Sequence, residues 1–464
     1  MGLAPQSVAP FPVSVEAGAE QQVRLADVVA ALSAALDLTE GQPMGHAVRS
    51  CLIGMRIAEV LGLPEQERSD LYYALLLKDV GCSSNATRMC QILESDDLAA
   101  KRDVKLADWR DPSLSGIRYA LRHFQPDAPL WRRIVGLLGM SLKKKALNKE
   151  MIGIRCERGA TIVRKLGFSA RVASAIHALD EHWDGNGFPD GLRHTQIPLH
   201  ACILSVAQHM DVFTTASTPA EAYAVLKARS GKWFQPEVVR ALKPLLADAA
   251  LWRALSDGSA EEIVLQLEPG NKLPADPEQM DRLCEAFADI VDAKSTYTYR
   301  HSVGVTAVAV MIAEELGFIG ARLTMVRRAA LLHDIGKLGV PNTVLDKPGK
   351  LTEEQWALMR RHPEYTLSIL ERVPGLRAIA RAASTHHEKL DGSGYPWGLR
   401  AIDLPLEARL LAVADIFQAL TEDRPYRQPM PIERALAILA EDVPAKLDER
   451  CYQALVSALR RQRG

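Results

Sequence analysis

Charge of one sign is what this sequence lacks most plainly. Its 464 residues carry 56 Lys and Arg against 57 Asp and Glu, a formal charge of −1 with neutral histidines. So balanced a chain sets up no global field toward a nucleic-acid polymer or an anionic membrane. Its one compact basic run, Lys143-Lys144-Lys145, fits a solvated helix face. The seven cysteines, at 51, 82, 90, 156, 202, 284 and 451, are odd in number and contain no C-x-x-C pair. That argues against a disulfide framework or a zinc ribbon and fits a reducing compartment, so a cytoplasmic protein is expected. No apolar stretch approaches the ~18 residues of a membrane-spanning helix. Residues 1–20 show no basic segment followed by an apolar one, and a flexible tail is expected there rather than a signal peptide or anchor. Alternating Val, Ile or Thr runs long enough for strands are scarce.

Helical periodicity, by contrast, is abundant in a chain that is 48% hydrophobic and 24% charged, ordinary globular values. In "VGVTAVAVMIAEELG" the residues Val303, Ala307, Val310, Met311 and Glu314 fall at helical spacing, and Gly317 ends the run. In "LTEEQWALMRRH" Thr352 is followed three residues later by Gln355, a capping-box pattern. The expected fold class is all-α. A stretch rich in proline and glycine, "LEPGNKLPADPEQ" at 267–279, is expected to be a linker between two segments of ordinary domain size.

Those segments repeat one another. "GHAVRSCLIGMRIAEVLGLPEQERSDLYYALLLKDVG" (45–81) aligns without gaps to "RHSVGVTAVAVMIAEELGFIGARLTMVRRAALLHDIG" (300–336), at an offset of 255. Further on, "DGNGFP" (184–189) falls on "DGSGYP" (391–396) at an offset of 207. The two offsets differ by 48, so the first copy carries 48 extra residues, within roughly 83–154. A duplicated helical unit with an insertion in its first copy is expected.

All five histidines of the second half sit in recognisable short motifs: His301, His333, His362, His386 and His387. Asp334 follows His333 directly, and Asp415 interrupts the apolar run "LLAVADIFQAL". A buried carboxylate needs a partner, either a metal or an arginine such as Arg409. Imidazole and carboxylate together suit iron, manganese or zinc. Seven such residues exceed one tetrahedral zinc and suit two metals sharing an Asp and a hydroxide, a phosphoester-hydrolysing arrangement. His362 precedes Pro363, which marks a helix boundary able to aim a side chain into a cleft, and Gly392 and Gly394 permit a tight turn.

Three of these stretches, "HDIGK" (333–337), "HHEKLDGSGYPWGL" (386–399) and "ADIFQALTEDRPYR" (414–427), resemble the signatures of the HD-GYP subfamily of the HD phosphohydrolase superfamily, over about residues 280–440. The resemblance implies tandem HD-type helical bundles and a bimetal, sometimes trimetal, hydrolase of cyclic dinucleotides in bacterial signalling, chiefly of cyclic di-GMP. It implies metal ligands at His301, His333, Asp334, His362, His386, His387 and Asp415, with Asp334 bridging. Lys337 would stabilise phosphate charge, Arg424 and Arg427 would hold substrate phosphates or guanine, and Tyr395 and Gly394 would shape the mouth. Members with a third metal carry a Glu four residues before the first His. Tyr297 stands there, so two divalent ions, iron or manganese, are expected.

The first copy keeps His46 and Asp79 but has Lys78 for His333, Cys82 for Lys337, Leu179-Asp180 for the histidine pair and Gln208 for Asp415; the position of His362 falls near Arg155. A lysine ammonium repels a metal and can pair with Asp79. Residues 21–266 are therefore expected to be a degenerate HD domain that serves as a scaffold, a homodimer surface or a regulator-binding site, and 280–464 the catalytic one. Cyclic di-GMP, opened to pGpG, is the expected substrate, and another cyclic dinucleotide such as 3′,3′-cyclic GMP-AMP is the alternative. A nucleotide-binding adaptor without turnover is the alternative of another class.

Overall fold

A computed structural model describes residues 23–106, 119, 121–126, 128–270, 275–295, 301–423 and 428–463. The expected tail at 1–20 and the centre of the expected linker lie outside the described residues. Among those described, every extended element is a helix, as expected of an all-α chain, and β-pairing is limited to isolated bridges such as Asp391 with Arg400. No helix among the described residues is long and apolar enough to cross a membrane. The first copy runs through α1 (Leu25–Thr39), α2 (His46–Val60), α3 (Glu65–Leu76), α4 (Leu130–Lys165), α5 (Ala170–His177) and α6 (Leu199–Ala216). The second runs through α7 (Pro277–Asp292), α8 (His301–Glu315), α9 (Gly320–Leu332), α10 (His362–Leu370), α11 (Arg377–Ser384) and α12 (Leu406–Thr421). A 3₁₀ turn follows α3 at Cys82–Asn85 and α9 at Ile335–Gly339.

The repeat extends further back than the 45–81 block, and its reason is a hydrogen bond. The first turn of a helix has unpaired N–H groups that need acceptors. Asp37, at the end of α1, accepts from the N–H of Gly45 at 2.7 Å and of Ala47 at 2.9 Å. Asp292, 255 residues later at the end of α7, accepts from Ser302 N at 3.1 Å and Ser302 Oγ at 2.7 Å. Burial raises both carboxyl pKa values, to about 7 for Asp37 and about 6 for Asp292. Each aspartate seats the helix whose first residue is His46 or His301.

Within each copy the helix that starts with this histidine packs between its neighbours: α2 against α3 and α6, α8 against α9 and α12. The buried side of α8 is not the stripe chosen from the sequence. Val303 is 44% exposed, whereas Val305, Val308, Ala309, Ile312 and Ala313 are buried. Apolar residues cover most of this helix, so periodicity alone could not set its phase. The capping box at Thr352 forms as expected, with Gln355 N donating to Thr352 Oγ1 at 3.3 Å and Gln355 Oε1 accepting from Thr352 N at 3.0 Å.

Both copies share one continuous core, running from Leu25 to Leu459. Thirteen of the 15 residues of α1 are buried, because it packs on α2 and α3 of its own copy and also on α10 and the Ile335–Gly339 turn of the other. The flanks of the expected linker are tied down: Tyr73 donates to Glu268 at 2.8 Å, and Ala275 N donates to Val23 O at 2.7 Å.

The insertion contributes helices Ala86–Leu93 and Asp97–Leu106 and the start of α4. Beyond it the copies converge on one close approach. A Cβ at Gly81 would sit 2.0 Å from Arg155 O, and one at Gly336 would sit 1.9 Å from His362 O. Gly81→Ala and Gly336→Ala are each expected to destabilise the fold by about 1–3 kcal/mol. In thermal denaturation with and without manganese, Gly336→Ala is expected to lose most of the metal-dependent rise in melting temperature, and Gly81→Ala to keep it.

Candidate metal centre

The seven ligand candidates come from five places in the second copy and converge on Asp334. His301 opens α8, and His333 and Asp334 close α9. His362 opens α10, where Pro363 occupies the first turn. His386 and His387 lie just past the end of α11, and Asp415 lies inside α12. The adjacent histidines can face one centre because they sit in a turn, not on a continuing helix.

The two oxygens of Asp334 divide the site. Oδ2 lies 3.3 Å from His333 Nε2 and 3.9 Å from His301 Nε2. Oδ1 lies 3.5 Å from His362 Nε2 and 3.8 Å from His386 Nε2. Asp415 Oδ1 adds the first group, at 3.1 Å from His301 Nε2, and its Oδ2 reaches His387 Nδ1 at 3.9 Å. The result is two donor triads, His301/His333/Asp415 and His362/His386/His387, with Asp334 between them.

The ring tautomers follow from chemistry. Backbone carbonyls can only accept, and they hold Nδ1 of His333 (Ala330 O, 2.7 Å), His362 (Met359 O, 2.7 Å) and His386 (Ala383 O, 2.6 Å). Each Nδ1 is therefore the donor, and each ring turns its Nε2 inward, as a bare lone pair in the neutral rings of His362 and His386. Those three Nε2 atoms and Asp334 Oδ1 are buried without a hydrogen-bond partner. Burial drives the pKa of His362 down to about 4 and that of His386 to about 3, and holds His387 well below the usual imidazole range. Asp334 and Asp415 stay well below the carboxylate range. Burial opposes that, but His333 and Lys337 beside Asp334, and His301 bonded to Asp415, outweigh it. Neutral imidazoles and ionised carboxylates are the states in which these groups bind a metal. Buried, unpaired donors of this kind fit divalent cations and little else.

Sequence reasoning missed Glu422. Its Oε2 lies 2.9 Å from His301 Nδ1, on the far side of the ring from Asp415. Burial would lower the His301 pKa, yet the bonds to Asp415 and Glu422 prevail and push it up to about 10, so this ring would have to give up its Nε2 proton to take a metal. The available signal was spacing: Glu422 stands two turns beyond Asp415, at the end of α12. The pairing of Asp415 with Arg409 weighed from sequence does not form, because Arg409 binds Asp448 at 3.0 Å.

Around the centre, Lys337 Nζ lies 2.6 Å from Asp334 Oδ2. The Tyr395 ring stacks on His387 at 4.7 Å. Gly394 backs onto Glu388, where a Cβ would meet Glu388 Cα at 2.4 Å. Glu388 in turn accepts the N–H groups of Trp397 (2.8 Å) and Leu399 (2.9 Å), closing the loop. Arg424, Arg427 and Tyr297 lie outside the described residues.

In the first copy, built-in cations stand where ligand candidates stand in the second. Lys78 contacts Asp79 in the places of His333 and Asp334, and Arg155 contacts Asp180 in the places of His362 and His387. Lys105 Nζ lies 2.8 Å from Glu40 and 3.9 Å from Asp79. Burial would raise the Asp79 pKa, but Lys78 and Lys105 bring it to about 2. Glu40, Asp79 and Cys82 could approach one ion, but the ammonium groups already neutralise the two carboxylates, and burial holds the Cys82 thiol protonated. The turn at 184–189 keeps its structural role: Glu181 accepts from Asp190, Gly191 and Leu192 N–H at 2.7–3.0 Å, as Glu388 does in its own copy. The remaining first-copy histidines make ordinary contacts, such as His177 with Asp190 at 3.0 Å and His182 stacked on Trp233 at 4.6 Å.

The family model for the HD domain matches residues 136–238 and 285–451, parts of both copies. The chain belongs to the HD-domain family, in its HD-GYP phosphodiesterase branch. This HD protein is 42% identical over 443 residues to "3'3'-cGAMP-specific phosphodiesterase 3" of Vibrio cholerae, covering 95% of this chain and 96% of that one. It is 40% identical over 181 residues to the cyclic di-GMP phosphodiesterase response regulator RpfG of Xanthomonas campestris pv. campestris, covering 39% of this chain and 47% of that one. A crystal structure of a cyclic GMP-AMP-specific phosphodiesterase from V. cholerae superposes with a TM-score of 0.67 at 37% identity, covering 94% of this chain and 98% of that one.

Glu422→Gln is expected to weaken metal binding about 10- to 100-fold, as loss of a partner that orients a ligand does. Calorimetric titration with manganese measures it. Elemental analysis of the wild-type chain is expected to find two ions per chain, and Asp334→Ala to abolish both.

Proposed function

We propose that the chain is a metal-dependent cyclic dinucleotide phosphodiesterase acting on 3′,3′-cyclic GMP-AMP, with residues 280–464 as the catalytic unit and 21–266 as a degenerate one. The observation that carries the chemistry is Asp334, a buried carboxylate whose oxygens face two separate donor triads. The substrate reading is supported by a likeness to a cGAMP-specific relative that runs through both copies. The match to the cyclic di-GMP enzyme RpfG spans 39% of this chain. Cyclic di-GMP, the substrate expected from the motifs, is the second reading.

His301, His333 and Asp415 would hold one divalent ion and His362, His386 and His387 the other, with Asp334 between them. Iron or manganese suits this imidazole and carboxylate set. When bound, such ions supply a water nucleophile at neutral pH and a clamp for phosphoryl oxygens. The remaining work falls to the chain. The carbonyls of Ala330, Met359 and Ala383 hold the rings in the productive tautomer. Lys337 brings a cation to the Oδ2 side of Asp334, where it offsets negative charge developing on phosphorus-bound oxygens. Tyr395 braces His387, and the guanidinium of Arg360 sits 5.7 Å from the Tyr395 ring and 5.6 Å from that of the exposed Trp356. An aromatic and guanidinium surface of this kind takes purine faces. Arg424 and Arg427 remain proposed phosphate contacts.

The test is turnover of a panel of cyclic dinucleotides by purified protein loaded with manganese or iron. Opening of 3′,3′-cyclic GMP-AMP to a linear dinucleotide, faster than that of cyclic di-GMP, is expected. Metal-loaded protein that leaves the whole panel intact sinks the reading. Lys337→Ala is expected to lower kcat about 10²- to 10³-fold, on the scale of removing one preorganised charge-stabilising donor.

A further inference from the structure

The insertion of the first copy reaches the loop that carries Lys337 in the second. Its helix Asp97–Leu106 begins with Asp97, which is fully buried. Asp97 Oδ1 accepts the N–H of Asn342 at 2.7 Å, at the start of the short helix Asn342–Leu345. Asp97 Oδ2 lies 3.7 Å from the ammonium of Lys294, itself 1% exposed. Lys294 donates to Leu338 O at 3.1 Å, and Leu338 is the immediate neighbour of Lys337.

Asn342 ties the same knot from the other side. Its Nδ2 donates to Lys294 O (2.6 Å), Asp346 Oδ2 (2.7 Å) and Thr87 Oγ1 (3.2 Å). Thr87, also from the insertion, donates to Lys294 O at 3.0 Å. The turn Ile335–Gly339 is thus held at Leu338 by a buried cation whose counter-charge comes from the other copy. A buried ammonium without its carboxylate is strongly disfavoured, and Asp97 supplies that carboxylate to Lys294. The same helix turns its next side chain on that face, Lys101, to the equivalent turn of its own copy, donating to Cys82 O at 2.7 Å. Cys82 is the counterpart of Lys337 in the repeat. One insertion helix therefore braces both turns.

We propose that Asp97 is a positioning residue for Lys337: through Lys294 and Asn342 it fixes the turn that presents the Lys337 ammonium beside Asp334. This rests on the charge-stabilising role given to Lys337 above. The degenerate copy thereby contributes to turnover without touching substrate or metal.

A double-mutant cycle on the full chain tests it. Asp97→Ala is expected to lower kcat about tenfold with KM and bound metal nearly unchanged, because a displaced catalytic cation is lost only to the transition state. In a Lys337→Ala background, Asp97→Ala is expected to have no further effect on kcat. Asp97→Asn, which keeps the acceptor for Asn342 N, is expected to restore part of the rate. Effects of Asp97→Ala and Lys337→Ala that multiply, or an unchanged kcat in Asp97→Ala, overturn the proposal. If Asp97→Ala fails to fold, Lys294→Met, which removes the grip on Leu338 O, is put through the same cycle with the same expected and overturning outcomes. Reading the cycle with bis(p-nitrophenyl) phosphate as well as with the cyclic dinucleotide separates it from the substrate assignment. Should no cyclic dinucleotide be opened, the coupling between Asp97 and Lys337 is still measured on the chromogenic diester.

Discussion

The second copy is organised around a repulsion. Asp334 Oδ1 faces the bare nitrogens of His362 and His386 at 3.5 and 3.8 Å, all three atoms carrying lone pairs and all three buried. Between lone pairs alone, such an encounter in the interior is unfavourable. The fold enforces it nonetheless. Carbonyls one turn back lock the rings, and Asp292 seats the helix that carries His301. Groups held against their own preference are preorganised for whatever reverses the sign of the interaction, and a divalent cation does so.

The first copy answers the same electrostatic question with covalent cations. Lys78, Lys105 and Arg155 neutralise Asp79, Glu40 and Asp180, so the buried carboxylates are satisfied by side chains that cannot dissociate. Breaking such buried pairs leaves an uncompensated charge, so the network resists the loss of any one member. The helices around it, the turn at 184–189 and the glycine against Arg155 are retained, since they serve packing alone.

Much of the centre was legible in the sequence because its residues violate their local setting. Histidines at helix ends and an aspartate inside an apolar helix stand out against periodicity. The two offsets, 255 and 207, made most of the substitutions in the first copy readable one by one. The phase of α8 was not legible, since apolar residues on most of its surface leave Val303 and Val305 indistinguishable until neighbours are known. Glu422 and Asp97 escaped for a different reason. Their partners His301 and Asn342 lie 121 and 245 residues away, and only tertiary contact brings them together. The place of Arg409 was likewise settled by Asp448, not by its neighbour in the chain.

Helix α1 shows how deeply the two halves have become one body. Buried on nearly all sides, it belongs by sequence to the copy without a reaction centre, yet it lines the turn and helix that shape the other. A duplicated unit that has lost its chemistry is ordinarily free to be deleted. Here deletion would strip an apolar wall from the surviving half and expose it to water. The two halves are thus bound together by the interior they share.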